Sequence, residues 1–151
     1  VVLAQNANNV DSLGRKQGLW IERKGQAEAY YKDDLRNGVF KAYNRKNGKL
    51  SGFGEYKEGV KSGIWYYFDN SSYLILIESN IRKNERLTRI RDDAKAIKPI
   101  NISYAKFYYP SGTIKKEGLV LYDEDIEIDY YKTGQWKYYT ENGKLLEVKA
   151  H

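Results

Sequence analysis

Gly63-Ile64-Trp65-Tyr66-Tyr67-Phe68 is the stretch that decides the fold, because the same phrase recurs along most of the chain. It returns as Gly18-Leu19-Trp20, as Gly38-Val39-Phe40-Lys41-Ala42-Tyr43 and as Gly134-Gln135-Trp136-Lys137-Tyr138-Tyr139. A turn signal follows each aromatic segment: Lys24-Gly25, Asn47-Gly48, Asn70-Ser71-Ser72, Ser111-Gly112 and Asn142-Gly143. An aliphatic residue stands two positions on, as in Leu50, Leu74, Ile114 and Leu145. Two units also close alike, with Tyr31-Lys32-Asp33-Asp34 and Tyr56-Lys57-Glu58-Gly59, and each tyrosine precedes Phe40 or Trp65 by nine residues. A period of this kind marks a repeat architecture, in which each unit contacts mainly its neighbours.

Alternating residues bounded by turn signals read as strands. Asn47-Gly48 suits the positive φ of a tight hairpin, which pairs strands over 39–45 and 49–57. Ala27, Ala29 and Tyr31 alternate with Glu28 and Tyr30, and Tyr73-Leu74-Ile75-Leu76-Ile77 is a β-prone run. The fourth unit lacks its aromatic, since alignment on Ser111-Gly112 puts Ala105 in the tryptophan place. The expected fold is all-β: an elongated single-layer antiparallel sheet of about five consecutive hairpins. Over 85–98 the repeat dissolves, and Leu87, Ile90, Ala94 and Ile97 fall at helical spacing before Pro99. That segment reads as a short helix, as an irregular insertion, or as an edge strand followed by a long loop.

With 15 Tyr, 3 Trp and 4 Phe, aromatic rings supply much of the apolar surface, and tyrosine suits a packed ring with a wet hydroxyl. The net charge of +6 is unevenly spread. Residues 81–98 hold seven Lys/Arg against three Asp/Glu, whereas 117–129 hold six acids and no base. Nucleic acid needs a broader basic footprint and a recognisable module, so it is not an expected partner. With no cysteine there is no disulfide, thiolate metal site or cysteine nucleophile. Val1-Val2-Leu3-Ala4-Gln5 resembles the end of a secretory signal cut after Ala4, which points to an exported, periplasmic or secreted chain. Residues 1–16 then form a signal remnant and loosely ordered lead-in, and 17–151 a single repeat domain.

The repeated Gly-x-Trp-x-x-Tyr, then Asn-Gly-x-Leu, then Tyr-Lys-x-Gly resembles the MORN repeat, in the variant common in bacterial proteins of the Bacteroides type. The resemblance runs from about Asp11 to Lys149. It implies hairpins added side by side and a binding or scaffolding role. Bacterial relatives include antitoxins or immunity proteins, and some eukaryotic members associate with membranes or phospholipid.

No catalytic, cofactor or metal site is expected: the single histidine is His151, and no nucleophile-elbow, phosphate-loop or zinc spacing occurs. In Asp123-Glu124-Asp125-Ile126-Glu127-Ile128-Asp129 an extended chain would put Asp123, Asp125, Glu127 and Asp129 on one side, open to a hard cation or facing lysines. The candidate protein-binding residues are Trp20, Phe40, Tyr43, Trp65, Tyr67, Trp136 and Tyr138, because a sheet without a second layer cannot hide both faces. The alternative is contact with anionic lipid or glycan through Arg82, Lys83, Arg86, Arg89 and Arg91. Open sheet edges would also suit a homodimer.

Overall fold

The computed structural model of the chain describes residues 6–90, 93–126 and 128–151. Val1–Ala4, Gln5, Arg91 and Glu127, on which some expectations above rest, lie outside the described residues. The fold is all-β. An 11-stranded antiparallel sheet, not closed, follows chain order, and a separate pair of two-residue strands stands beside that order. The chain divides into two compact units, Val1–Tyr73 and Leu74–His151.

The first unit contains β1 (Asn9–Val10), β2 (Lys16–Glu22), β3 (Ala27–Lys32), β4 (Leu35–Tyr43), β5 (Leu50–Lys57) and β6 (Val60–Phe68). Each pairs with its sequence neighbour. The β4–β5 register sets Phe40 opposite Gly54 and Tyr43 opposite Leu50. Asn47-Gly48 does not make a two-residue turn: the connection covers 44–49, with the Gly48 N–H on the Asn44 carbonyl at 2.9 Å and the Asn44 N–H on the Lys49 carbonyl at 2.7 Å. The tight turns are instead Asp33-Asp34 and Glu58-Gly59, whose residues all have positive φ (50°, 68°, 49° and 82°), as a two-residue hairpin demands.

A five-residue turn recurs at the other ends. At 11–15 the Asp11 N–H meets the Arg15 carbonyl at 3.0 Å, and the Gly14 N–H returns to the Asp11 carbonyl at 3.0 Å. The same two bonds close 69–73, 109–113 and 140–144. Its fourth residue is left-handed each time: Gly14, Ser72, Gly112 and Gly143, at φ 77°, 69°, 88° and 88°. The stretch read as a loose lead-in is therefore structured from Asn9. Val10 pairs with Lys16, and Asp11 accepts at its carboxylate from the Leu13 and Arg15 N–H groups.

The second unit contains β7 (Leu74–Lys83), β8 (Arg89–Ile90), β9 (Ala96–Ile97), β10 (Asn101–Tyr108), β11 (Ile114–Tyr122), β12 (Tyr131–Tyr139) and β13 (Leu145–Ala150). β7 pairs with β10, then β10 with β11, β11 with β12 and β12 with β13. No helix occurs among the described residues of 85–98. The segment is an irregular insertion holding the small β8–β9 pair, with Arg89 opposite Ile97. Helical spacing fails there because the apolar residues have no face to pack on, Leu87 and Ile90 being exposed, while Asn84 ties the ends of the segment together. Asn84 is buried, donates through Nδ2 to the Leu87 and Pro99 carbonyls at 2.8 and 2.7 Å, and accepts from the Leu87 N–H. Among the described residues of 123–129 no strand occurs either. Asp123 accepts at Oδ1 from the Ile100 N–H at 3.0 Å, and Ile126 is fully buried while Ile128 is exposed.

The packing rule is an alternation of rings and small residues across the strands. Trp20 faces Ala29, Ala29 faces Phe40, and Phe40 faces Gly54. In the second unit Ala105 faces Gly118. Gly134 has φ +67° and lies in the bulge where β12 shifts against β11, which swings the Trp136 indole flat across Gly118. A Cβ at Gly118 would lie 2.6 Å from that ring, and one at Gly54 2.2 Å from Trp65. The third unit breaks the rule. Glu78 stands four residues after Leu74, as Gly54 does after Leu50, and it faces Ala105, which occupies the aromatic place. The two departures complement each other: the missing ring leaves room for the carboxylate. Glu78 is fully buried and accepts from the Tyr122 hydroxyl, with buried Ser103 beside the phenol. Burial, then the Glu78 charge, holds the Tyr122 hydroxyl well above the ordinary tyrosine range.

Candidate binding surface

In the first unit, six strands of alternating residues produce two unlike faces. One, the ring face, carries Trp20, Tyr31, Phe40, Tyr56, Trp65 and Tyr67 around Ala27, Ala29 and Gly54. Phe40 and Tyr56 meet edge to face at 5.6 Å, Tyr56 and Trp65 at 5.2 Å, and Phe40 and Trp65 lie 5.8 Å apart. Such pairs contribute on the order of 0.5–1.5 kcal/mol beyond area burial.

A cation caps each ring. Lys16 Nζ lies 4.5 Å from the Trp20 centroid, Arg36 Cζ 5.0 Å from Phe40, and Lys61 Nζ 4.4 Å from Trp65. Each stands four residues before its aromatic, and Lys132 before Trp136 repeats the spacing in the second unit, at 5.0 Å. These caps escaped the sequence reading, although the offset of four was visible once the aromatics had been aligned. Arg36 is also paired with Glu22 at 2.7 Å. Burial acts to raise the Glu22 carboxyl, but the Tyr31 hydroxyl and the Arg36 guanidinium outweigh it and hold its pKa below the usual carboxylate range.

The opposite, open face of the first unit carries Ile21, Tyr30, Val39, Phe53, Ile64, Tyr66 and Phe68. Phe53 stacks on Tyr66 at 5.0 Å and on Phe68 at 6.2 Å. Ile64 is 51% exposed, Tyr30 46%, Val39 38% and Ile21 37%. In register Ile21 meets Glu28, Glu28 meets Lys41, and Lys41 meets Phe53, so two charges of opposite sign stand between the apolar residues of this face.

The seven rings selected from sequence do not form one surface. Trp20, Phe40, Trp65 and Tyr67 share the ring face of the first unit, where Phe40, Trp65 and Tyr67 are buried. Tyr43 points to the open face, toward Glu28, and burial with that carboxylate raises its hydroxyl pKa. Trp136 is fully buried in the second unit, with its indole N–H on the Leu119 carbonyl at 3.0 Å, and Tyr138 lies beside it at 6.4 Å. Of the basic residues, Arg82, Lys83 and Arg86 are exposed. Arg89 is turned inward, its guanidinium donating to the Lys132 carbonyl.

No protein-family model, curated protein or solved structure matches this chain.

Proposed function

We propose that this chain is a non-enzymatic, MORN-like repeat module that binds a protein partner on the open face of its first unit. The observation that carries the reading is the partial exposure of Ile21, Tyr30, Val39 and Ile64 on one face of β2, β3, β4 and β6. A rigid sheet presenting apolar side chains from several strands, with charges of both signs between them, has the makeup of a protein-binding patch. The ring face contributes rigidity: its aromatics are occupied with one another and with their cations, so the contact passes to the side opposite the ladder. An immunity or antitoxin role is the sharper form of the same proposal and rests on the family resemblance.

The test is capture from an envelope fraction with the wild-type chain and with a Val39→Glu/Ile64→Glu double variant, at low and high salt. A single dominant protein, retained by the wild type at both salts and lost by the variant, is the expected result. Both substituted positions are solvent-accessible, so the variant keeps its circular dichroism spectrum. Equal capture by the two chains overturns the reading.

A further inference from the structure

In the first unit one capping cation, Arg36, has a carboxylate to answer it, that of Glu22. Arg15, next to the cap Lys16, pairs with Asp11 and Asp33 in the same unit. Beside Trp136 in the second unit Lys132 lies near enough to Lys116 for their charges to repel, and Arg89 of β8 reaches the Lys132 carbonyl, with no ion pair from any of the three to a described carboxylate. Lys116 Nζ lies 4.6 Å from the Phe107 centroid and 3.3 Å from the Tyr130 hydroxyl. Lys132 Nζ donates to the Tyr138 hydroxyl at 2.8 Å, and that hydroxyl sits 3.1 Å from His151 Nε2. Arg89 is pinned by its bond to the Lys132 carbonyl, yet its Nε is buried with no hydrogen-bond partner.

The surroundings of these groups act on their protonation. Burial, and then the charge of Lys132, push the Lys116 ammonium below its ordinary range. Partial burial and the charges of Lys132, Lys149 and Arg89 lower His151, against a weaker opposing field from Glu147. Like charges held together in a partly desolvated place are unfavourable unless an anion completes them. The phenols cannot do that, because each is neutral and takes one hydrogen bond from its ammonium, leaving the other donors of Lys116 and Lys132 without a protein partner among the described residues. Beside these groups opens a depression of about 580 Å³ lined by Arg89, Ile90, Tyr130, Tyr131, Lys132 and His151. That is room for a small organic ligand.

We infer that this depression is a binding site for a phosphate or sulfate monoester. Its tetrahedral oxyanion would be held by Lys132 and Arg89, with Lys116 adding its charge from behind the Tyr130 hydroxyl, and its organic part would rest against Tyr130 and Ile90. A compact, multiply charged group with several acceptor oxygens matches three cations from different strands better than a single carboxylate does. This inference does not depend on the protein partner proposed above, since its residues lie in the other unit.

Calorimetric titration of the full chain tests it, with phenyl phosphate, phenyl sulfate and inorganic phosphate as soluble probes and vesicles of phosphatidylcholine with or without phosphatidic acid as the lipid probe. Lys116→Gln and Lys132→Gln keep an alkyl stem over the ring, and tryptophan fluorescence checks that Trp136 stays packed. Lys144→Gln, in an exposed turn, is the control. Saturable binding of a soluble monoester, weakened at least tenfold by either variant, by high salt and not by the control, establishes the site with a soluble ligand. Binding confined to phosphatidic acid vesicles, with the same loss in the variants, establishes it with a lipid headgroup. No binding to any probe, or binding that the two variants leave unchanged, overturns it.

Discussion

At Gly118 the whole packing rule is concentrated in one missing methyl group. The Trp136 indole lies across this residue so closely that an added Cβ would stand 2.6 Å from three of its ring atoms. The indole cannot retreat without breaking its N–H bond to the Leu119 carbonyl. Gly118→Ala is therefore expected to destabilise the protein by about 1–3 kcal/mol, the usual penalty for overfilling a packed site. Urea unfolding followed by tryptophan fluorescence reads this as a lower midpoint at unchanged slope; an unshifted midpoint would mean that the indole is loosely held. Alanine is otherwise at home in this place, as Ala29 shows between Trp20 and Phe40. The difference is local: a Cβ fits where the facing rings stand off the backbone, and not where a bulge lays the ring flat.

At the scale of the hairpin, the recurring five-residue turn explains what could be read from sequence and what could not. Its fourth position is left-handed in every copy, and Ser72 is the one non-glycine among the four. Left-handed backbone costs a side-chain-bearing residue roughly 1–2 kcal/mol, and glycine gives back part of that gain as unfolded-state entropy. Ser72→Gly should then raise stability by about 0.5–1 kcal/mol, measured as a higher urea midpoint. A decrease would show that the serine has a role of its own in the turn. Hairpin order and the all-β class were legible because Gly-x-aromatic and the turn glycines recur at fixed offsets. The 11–15 turn is not legible in the repeat because it precedes the first aromatic, although Asp11 and Gly14 match Asp69 and Ser72 in spacing. Residues 85–98 were ambiguous for a different reason: apolar spacing over so short a run cannot reveal that Asn84 and Pro99 tie its two ends together. The pairing of rings with cations shows in sequence only as an offset of four between a Lys or Arg and the aromatic after it. The unanswered charges of Lys116, Lys132 and Arg89 depend on strand register, which joins residues far apart in sequence.

For the molecule as a whole, charge makes the acid limb of the stability curve the informative one. The chain already carries +6, and every carboxylate that protonates adds to its self-repulsion. Glu22 adds a specific contribution. Its folded pKa is depressed below the unfolded value near 4.3, so the stabilisation is complete above that pH and fades as the pH falls through the folded value. Stability measured by urea unfolding between about pH 6 and pH 2 should drop on the acid side. In Glu22→Gln the drop should be shallower, from a lower starting level. Parallel curves for the two chains would place the acid sensitivity in other carboxylates.

A chain of look-alike hairpins faces a hazard that a non-repeating sheet does not, since a strand can meet the wrong copy of its partner and still find main-chain bonds to make. Glu78 makes one such error expensive. Moved to the place of Gly54 or Gly118, its side chain would stand where even a Cβ lies 2.2 or 2.6 Å from an indole, so that register could not close without displacing the ring. Only opposite Ala105, within reach of Tyr122, is it satisfied. The apparent flaw in the repeat thus serves as an address, telling one hairpin from its copies while the chain is still choosing its partners.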